Sequence, residues 1–229
     1  MIVLLFGAPG SGKGTQARFI SEMRGIPAIS TGELLRAECR AGTDLGNAAC
    51  AVLANGALLD DVTMNAIVAK RLQQADCSGG FILDGYPRTV PQAVSLSHLL
   101  ESAGSPEPAI VHLDVPDATL VARLSSRRYC PSCGRTYHLV AHPPARLGLC
   151  DDDGETLIQR SDDEGGVVVE RLKAYHKLTE QLIQYYQGPH YHRVAGDCTP
   201  QQISKRIEAT LLAGAGQDDC EPVGCIKRQ

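Results

Sequence analysis

Two kinds of hydrophobic pattern take turns along the chain. Short, nearly unbroken apolar runs occur at Ile2-Val3-Leu4-Leu5-Phe6, Pro27-Ala28-Ile29-Ser30, Phe81-Ile82-Leu83-Asp84-Gly85, Ala109-Ile110-Val111-His112-Leu113-Asp114-Val115 and Tyr191-His192-Arg193-Val194. Runs without alternation suit strands covered on both faces, as in a buried parallel sheet. Between them apolar residues recur at helical spacing, as in Ala17, Phe19, Ile20 and Met23, or Val168, Leu172, Tyr175, Leu178, Leu182 and Tyr186. The spacing predicts helices over residues 15–23, 62–72, 90–100, 117–124, 168–186 and 199–212.

Local chemistry punctuates these elements. Gly25 and Pro27 end the first helix, Ser30-Thr31-Gly32-Glu33 has the form of a capping box before Leu34 and Leu35, and Thr199 caps a helix with Pro200 at its first position. Strands alternating with helices imply an α/β fold, a doubly wound, five-stranded parallel sheet with its ligand crevice at the carboxyl edge.

Residues 127–163 break the pattern. They show no helical period but carry Cys130-Pro-Ser-Cys133-Gly134 and Cys150-Asp-Asp-Asp153-Gly154. Two such knuckles suit a tetrahedral zinc site of three thiolates and a carboxylate from Cys130, Cys133, Cys150 and Asp153. His138, His142, Asp151 and Asp152 compete for the fourth position. Four protein ligands leave no open coordination position, so the metal is structural and staples an excursion too small for its own core.

Composition narrows the function. At 229 residues, 43% hydrophobic and 21% charged, the chain is of ordinary globular type. No apolar run reaches the roughly 18 residues of a membrane span. Met1 runs into a strand with no basic leader, which gives the expectation of a cytoplasmic protein. A net charge of −4 disfavours nucleic acid and anionic membranes as partners and leaves small anions. Nine cysteines, an odd number, point to free thiols or a metal site rather than a disulfide framework, with Cys39, Cys50, Cys77 and Cys198 scattered.

The most specific chemistry follows the first strand. Gly7-Ala8-Pro9-Gly10-Ser11-Gly12-Lys13-Gly14-Thr15 keeps the glycines and lysine of a P-loop, with the usual hydroxyl moved from position 14 to Thr15. Glycines let backbone N–H groups converge on phosphate at a helix N-terminus, and Lys13 adds a point charge. Asp84, at the end of its run, is the natural partner of a magnesium ion or its waters.

Taken in order, Gly7 to Gln16, Ser30-Thr31-Gly32 with Arg36, Asp84-Gly-Tyr-Pro-Arg-Thr89 with Gln92, Arg123, Arg127-Arg128, and Gln159-Arg160-Ser-Asp-Asp163 with Arg171 resemble the adenylate kinase family. The likeness runs from Met1 to about Leu212 and extends to the long, zinc-bearing lid of some bacterial members.

The resemblance implies reversible transfer of the γ-phosphoryl group of Mg2+-ATP to AMP, giving two ADP. It implies that Gly10, Ser11, Gly12, Lys13, Gly14 and Thr15 hold the donor phosphates, and that Arg36 and Arg88 hold the acceptor phosphate. Arg123, Arg127, Arg160 and Arg171 would close over both nucleotides. Acceptor recognition maps onto Thr31, the backbone of Ala57, Leu58 and Leu59, Gly85, Tyr86, Pro87 and Gln92. Thr136, Tyr137 and the backbone near Gly196 and Cys198 would contact donor ribose or adenine. The implied domains are a core of residues 1–29, 60–126 and 164–212, an AMP-binding segment 30–59, a zinc-bearing lid 127–163 and a disordered tail 213–229, in a monomer. Two departures stand out: Glu33 where the family has Asp, and Leu59-Asp60-Asp61-Val62, which lacks the family's proline.

Within the same enzyme class, the alternative is a kinase for UMP and CMP, which the long lid disfavours. An ATP-binding regulator without transfer activity is opposed by the retained Lys13, Arg88, Arg127, Arg160 and Arg171. A nucleic-acid-binding zinc ribbon is opposed by Asp151, Asp152, Asp153, Asp162 and Asp163 around the knuckles.

Overall fold

The computed structural model describes residues 1–41, 46–47, 50–51 and 59–213. Its sheet contains β1 (Ile2–Gly7), β2 (Ala28–Ser30), β3 (Phe81–Asp84), β4 (Ala109–Asp114) and β7 (Tyr191–Ala195), in the order β2-β3-β1-β4-β7. Every pairing is parallel. Residues at the middle of β1, β3 and β4, such as Leu4, Leu83 and Val111, are 0% exposed, as expected for strands clad by helices on both faces.

The helices are α1 (Lys13–Arg24), α2 (Thr31–Ala41), α3 (Asp61–Leu72), α4 (Val90–Ser102), α5 (Asp117–Ser125), α6 (Gly165–Tyr186) and α7 (Pro200–Ala213). All six helices predicted from spacing form, with ends shifted by up to three residues. Apolar residues of α3, α4 and α6 pack on one sheet face with Leu4 and Leu83, and those of α1 and α7 on the other with Val3 and Leu5. None of the described helices is long and apolar enough to cross a membrane.

The caps account for several boundaries. Thr199 accepts from the Gln202 N–H at 3.3 Å while Gln202 accepts from the Thr199 N–H at 3.1 Å, a reciprocal capping box. At α2 the expected box does not close on itself, because the Glu33 carboxylate is turned to Arg36 and Arg160. The excursion holds a hairpin that sequence periodicity does not reveal, β5 (Arg127–Tyr129) against β6 (Thr136–His138). Three-residue strands are too short to show a period.

The cysteine expectation needs one correction. Cys39 and Cys50 form a disulfide, with Cα atoms 5.3 Å apart, whereas Cys77, Cys130, Cys133, Cys150 and Cys198 are free. The tail, residues 214–229, with Cys220 and Cys225, lies outside the described residues, as do Ala57 and Leu58.

Truncating Leu83 to Ala is expected to lower unfolding free energy by about 3 kcal/mol, whereas Val62→Ala, at an exposed position, stays within about 0.5 kcal/mol. Urea titration of both variants reads the difference.

Candidate active site

The carboxyl ends of β1 and β3 open into one cleft. Its walls include Gly7, Pro9 and Lys13 from the first turn, Gly85, Pro87 and Arg88 after β3, and Arg171, Tyr175 and Thr179 from α6, around a space of about 690 Å³. The turn between β1 and α1 depends on glycine. Gly7 has φ +146°, and a Cβ there would stand 2.6 Å from Ser11 Oγ and 2.8 Å from the Leu113 carbonyl. Gly12, φ +100°, opens α1 with no side-chain cap, so the first amides of the helix face the loop without a protein acceptor from that residue. Ser11 Oγ is buried without a partner. A phosphate is the kind of acceptor such a turn lacks.

Lys13 Nζ donates back to the carbonyls of Gly7 (2.8 Å) and Ala8 (3.0 Å). Burial lowers its pKa to about 8; Asp84 opposes the shift, while Arg88, Arg171 and Arg127 add to it. Asp84 lies against the loop, its Oδ2 3.4 Å from where a Cβ on Gly14 would be. Arg88 donates from Nε to the Gly85 carbonyl at 2.9 Å, and burial followed by repulsion from Arg171 lowers its pKa. Arg160 is pushed down to about 10, first by burial and then by Arg36 and Arg127, and it stacks on the Tyr129 ring at 4.9 Å. Arg171 is lowered in the same way. Like charges have been brought together where water is scarce, an arrangement that favours a polyanion.

Four acids keep this cluster assembled. Asp163, whose side chain is 0% exposed, takes both Arg127, through two bonds, and Arg171 at 3.2 Å. Asp162 pairs with Arg171 at 3.0 Å. Glu33 accepts from Arg36 Nε at 3.1 Å and Arg160 Nη2 at 3.0 Å, which ties α2 to the loop before α6. Asp61 accepts from Gln92 Nε2 at 2.7 Å, and Gln92 Oε1 accepts from the Arg88 N–H at 2.8 Å. Gln92 therefore retains one N–H and one lone pair for a ligand edge.

The remaining sequence candidates are placed as follows. Thr31 is buried and donates to the Gly85 carbonyl at 3.0 Å. Leu59 is buried in the core. Tyr86 is also buried; its hydroxyl donates to Asn65 at 2.7 Å, and its ring sits outside the cleft walls. Arg123 reaches the Ser11 carbonyl at 3.5 Å and interacts with Asp197 and Cys198, which brings the expected donor-adenine residues to the mouth of the P-loop. Thr136 is exposed, whereas Tyr137 is 3% exposed, packed with Cys130 and Cys150.

The knuckles are a pair. Gly134 donates to the Cys130 carbonyl and Gly154 to the Cys150 carbonyl, both at 3.0 Å. The donor atoms of Cys130, Cys133, Cys150 and Asp153 lie within 4.8 Å of one another. Cys133 Sγ is 3.5 Å from Cys150 Sγ, and Cys130 Sγ is 3.3 Å from Asp153. Zinc bonds of about 2.3 Å to sulfur give tetrahedral edges of about 3.8 Å, so the donors present fit that metal with small adjustment. Tyr137 Oη accepts the Asp151 N–H at 2.7 Å and lies 3.3 Å from Cys150 Sγ, where it would donate to that sulfur as a metal-bound thiolate. Of the competing ligands, His138 Nδ1 accepts from the Val140 and Ala141 amides, and Asp152 is paired with Arg135.

Residues 5–190 match the family model for adenylate kinase. The chain belongs to the adenylate kinase family. It is 46% identical over 213 residues to an adenylate kinase of Trichlorobacter lovleyi, covering 93% of this chain and all of that one. Adenylate kinases of Methanosarcina acetivorans and Methanosarcina mazei are each 48% identical over 187 residues, covering 82% of this chain and 86% of theirs. The motif order that suggested an adenylate kinase in the sequence and the parallel sheet that displays it therefore agree.

The lowered pKa of Lys13 has a pH consequence of definite sign. Between about pH 8 and 10.5 the unfolded chain holds this proton and the empty folded protein does not, so the stability contribution of Lys13 rises with pH across that window. A bound phosphate favours the charged amine, so affinity falls over the same window. Calorimetry of ATP binding in buffers of different ionisation enthalpy is expected to show uptake of about half a proton near pH 8. No uptake in the Lys13→Arg variant assigns it to this residue.

Proposed function

We propose that this adenylate kinase transfers the γ-phosphoryl group of Mg2+-ATP reversibly to AMP, giving two ADP. The observation that carries the reading is the convergence of Lys13, Arg88 and Arg171 on the cleft at the carboxyl edge, with Arg36, Arg127 and Arg160 around them. Phosphoryl transfer asks a protein for in-line positioning and neutralisation of charge on the migrating group, which fixed cations in a poorly hydrated cleft provide.

The donor phosphates would lie on the amides of residues 10–15 with Lys13 swung from the Gly7 and Ala8 carbonyls onto the anion. The donor base would lie beside Arg123, Gly196 and Cys198. The acceptor phosphate would lie between Arg36 and Arg88, displacing Glu33, and its base near Thr31, Gly85 and the free edge of Gln92. Magnesium enters with ATP and would shield the phosphates, with Asp84 in position to hold its waters. Arg160 and Arg171 close the far side and exclude water. The core, acceptor segment (residues 30–59) and lid (127–163) would act as three bodies, the latter two swinging over the nucleotides. Cytoplasmic location and a monomeric state go with the family resemblance.

Zinc in the knuckles would supply four-coordinate cross-linking of the lid and nothing to the transfer step. The matched knuckles and the donor spacing support it. Elemental analysis is expected to give one zinc per chain, lost in Cys150→Ser and kept in Asp153→Cys. Chelation is expected to lower the midpoint of thermal unfolding well before it lowers turnover at moderate temperature; loss of turnover from a still-folded apo-protein contradicts a structural role.

A coupled assay with AMP, UMP, CMP and GMP as acceptors tests the reaction, with AMP expected to be used at least about tenfold better than the others. Arg88→Ala is expected to lower kcat/KM for AMP at least about a hundredfold with its fold intact. Preference for UMP or CMP supports the alternative acceptor, and no ADP from intact protein overturns the reading.

A further inference from the structure

The one disulfide among the described residues sits on the acceptor segment, away from the metal donors. Cys39 lies in the last turn of α2, one turn beyond Arg36, and joins Cys50 across 11 positions of sequence. The link ties the end of the helix that carries Thr31 and Arg36 to the stretch leading to Leu59. Both cysteines are half-buried, so small thiols can reach them. Five other cysteines are free in the same molecule, three of them as metal donors. Among the described residues this is therefore a single bridge beside five free thiols, and neither of its cysteines belongs to the hydrophobic core clusters.

We propose that Cys39 and Cys50 are a reversible thiol–disulfide site that tunes acceptor binding. A thiolate of the reduced pair attacks a low-molecular-weight disulfide and releases one small thiol. The second cysteine then displaces the other small thiol from the mixed disulfide, so two protein thiols and one small disulfide give one protein disulfide and two small thiols. A dithiol reverses the sequence. The bridge restrains the end of α2, the helix that carries Thr31 and Arg36, before the nucleotide arrives, so less ordering is left for binding to supply. The effect falls on the acceptor monophosphate, because Cys39 sits on the helix that carries Thr31 and Arg36. It rests on the acceptor assignment made above, whereas the chemistry of the site does not.

The test uses the full-length, metal-loaded protein equilibrated across ratios of oxidised to reduced glutathione, quenched by alkylation and mapped as peptides by mass spectrometry. A cross-linked peptide pair containing Cys39 and Cys50 is expected to appear and disappear with the ratio, while Cys130, Cys133 and Cys150 stay unlinked. Reduction is expected to raise KM for AMP about threefold and to leave KM for ATP and kcat unchanged. The Cys39→Ser/Cys50→Ser variant should hold the reduced value at every ratio, which separates the clip from any effect on the lid thiols. Absence of the cross-link at every ratio overturns the site, and a cross-link without change in KM for AMP overturns its role. Failure of the kinase reading would show instead as absent turnover with the cross-link intact.

Discussion

The structure depends on keeping several cations together in a space where they repel one another. Lys13, Arg36, Arg88, Arg127, Arg160 and Arg171 come from α1, α2, the turn after β3, β5, the loop before α6 and α6 itself, and burial is the leading cause of the lowered pKa values at Lys13, Arg88, Arg160 and Arg171. Such a cluster is held at a cost that the fold meets elsewhere, with a fully buried Asp163 clamping two guanidinium groups and Glu33 bridging two more. Lys13 and Arg88 have no carboxylate within 4.0 Å among the described residues and rest on backbone carbonyls instead. These two are the groups a phosphate would relieve most. A polyanion is the missing component of the site, and catalysis by charge neutralisation follows from the same imbalance.

The sheet exists to hold that arrangement. Parallel strands end on one edge, so the loop after β1, Asp84 and Gly85 after β3, and Gly196 after β7 arrive side by side. The positive end of α1 points into the same space. The knuckles make a second, smaller body whose core is only Cys130, Tyr137, Cys150 and Leu157. Four side chains are a small core for about 37 residues, and among the described residues this is the segment that gathers four potential metal donors.

Much of this was legible in the sequence. The buried strands advertised themselves as unbroken apolar runs, and the long helix α6 as a period sustained over 22 residues. The P-loop and the knuckles were legible because glycine and cysteine spacing is set by local geometry. What stayed hidden was whatever depends on partners distant in sequence. Asp61 reads only as part of the stretch without the family's proline, yet it holds Gln92 from 31 residues away. The packing of Tyr137 among Cys130, Cys150 and Leu157 left no trace in the spacing either. Glu33 fitted a capping box, yet its carboxylate meets Arg36 and Arg160 together. The Cys39–Cys50 pair had no signal, since pairing is a property of space and the cysteine count was odd.

The claim that the cleft is strained by its own charge until a nucleotide enters is tested most directly by thermal unfolding of the wild type and Lys13→Met, each with and without a diadenosine polyphosphate long enough to span both halves. The account predicts that Lys13→Met is more stable than wild type when empty, by about 1 kcal/mol or more, and gains little from the ligand. A variant that is less stable when empty, yet gains from the ligand as much as wild type does, would contradict it.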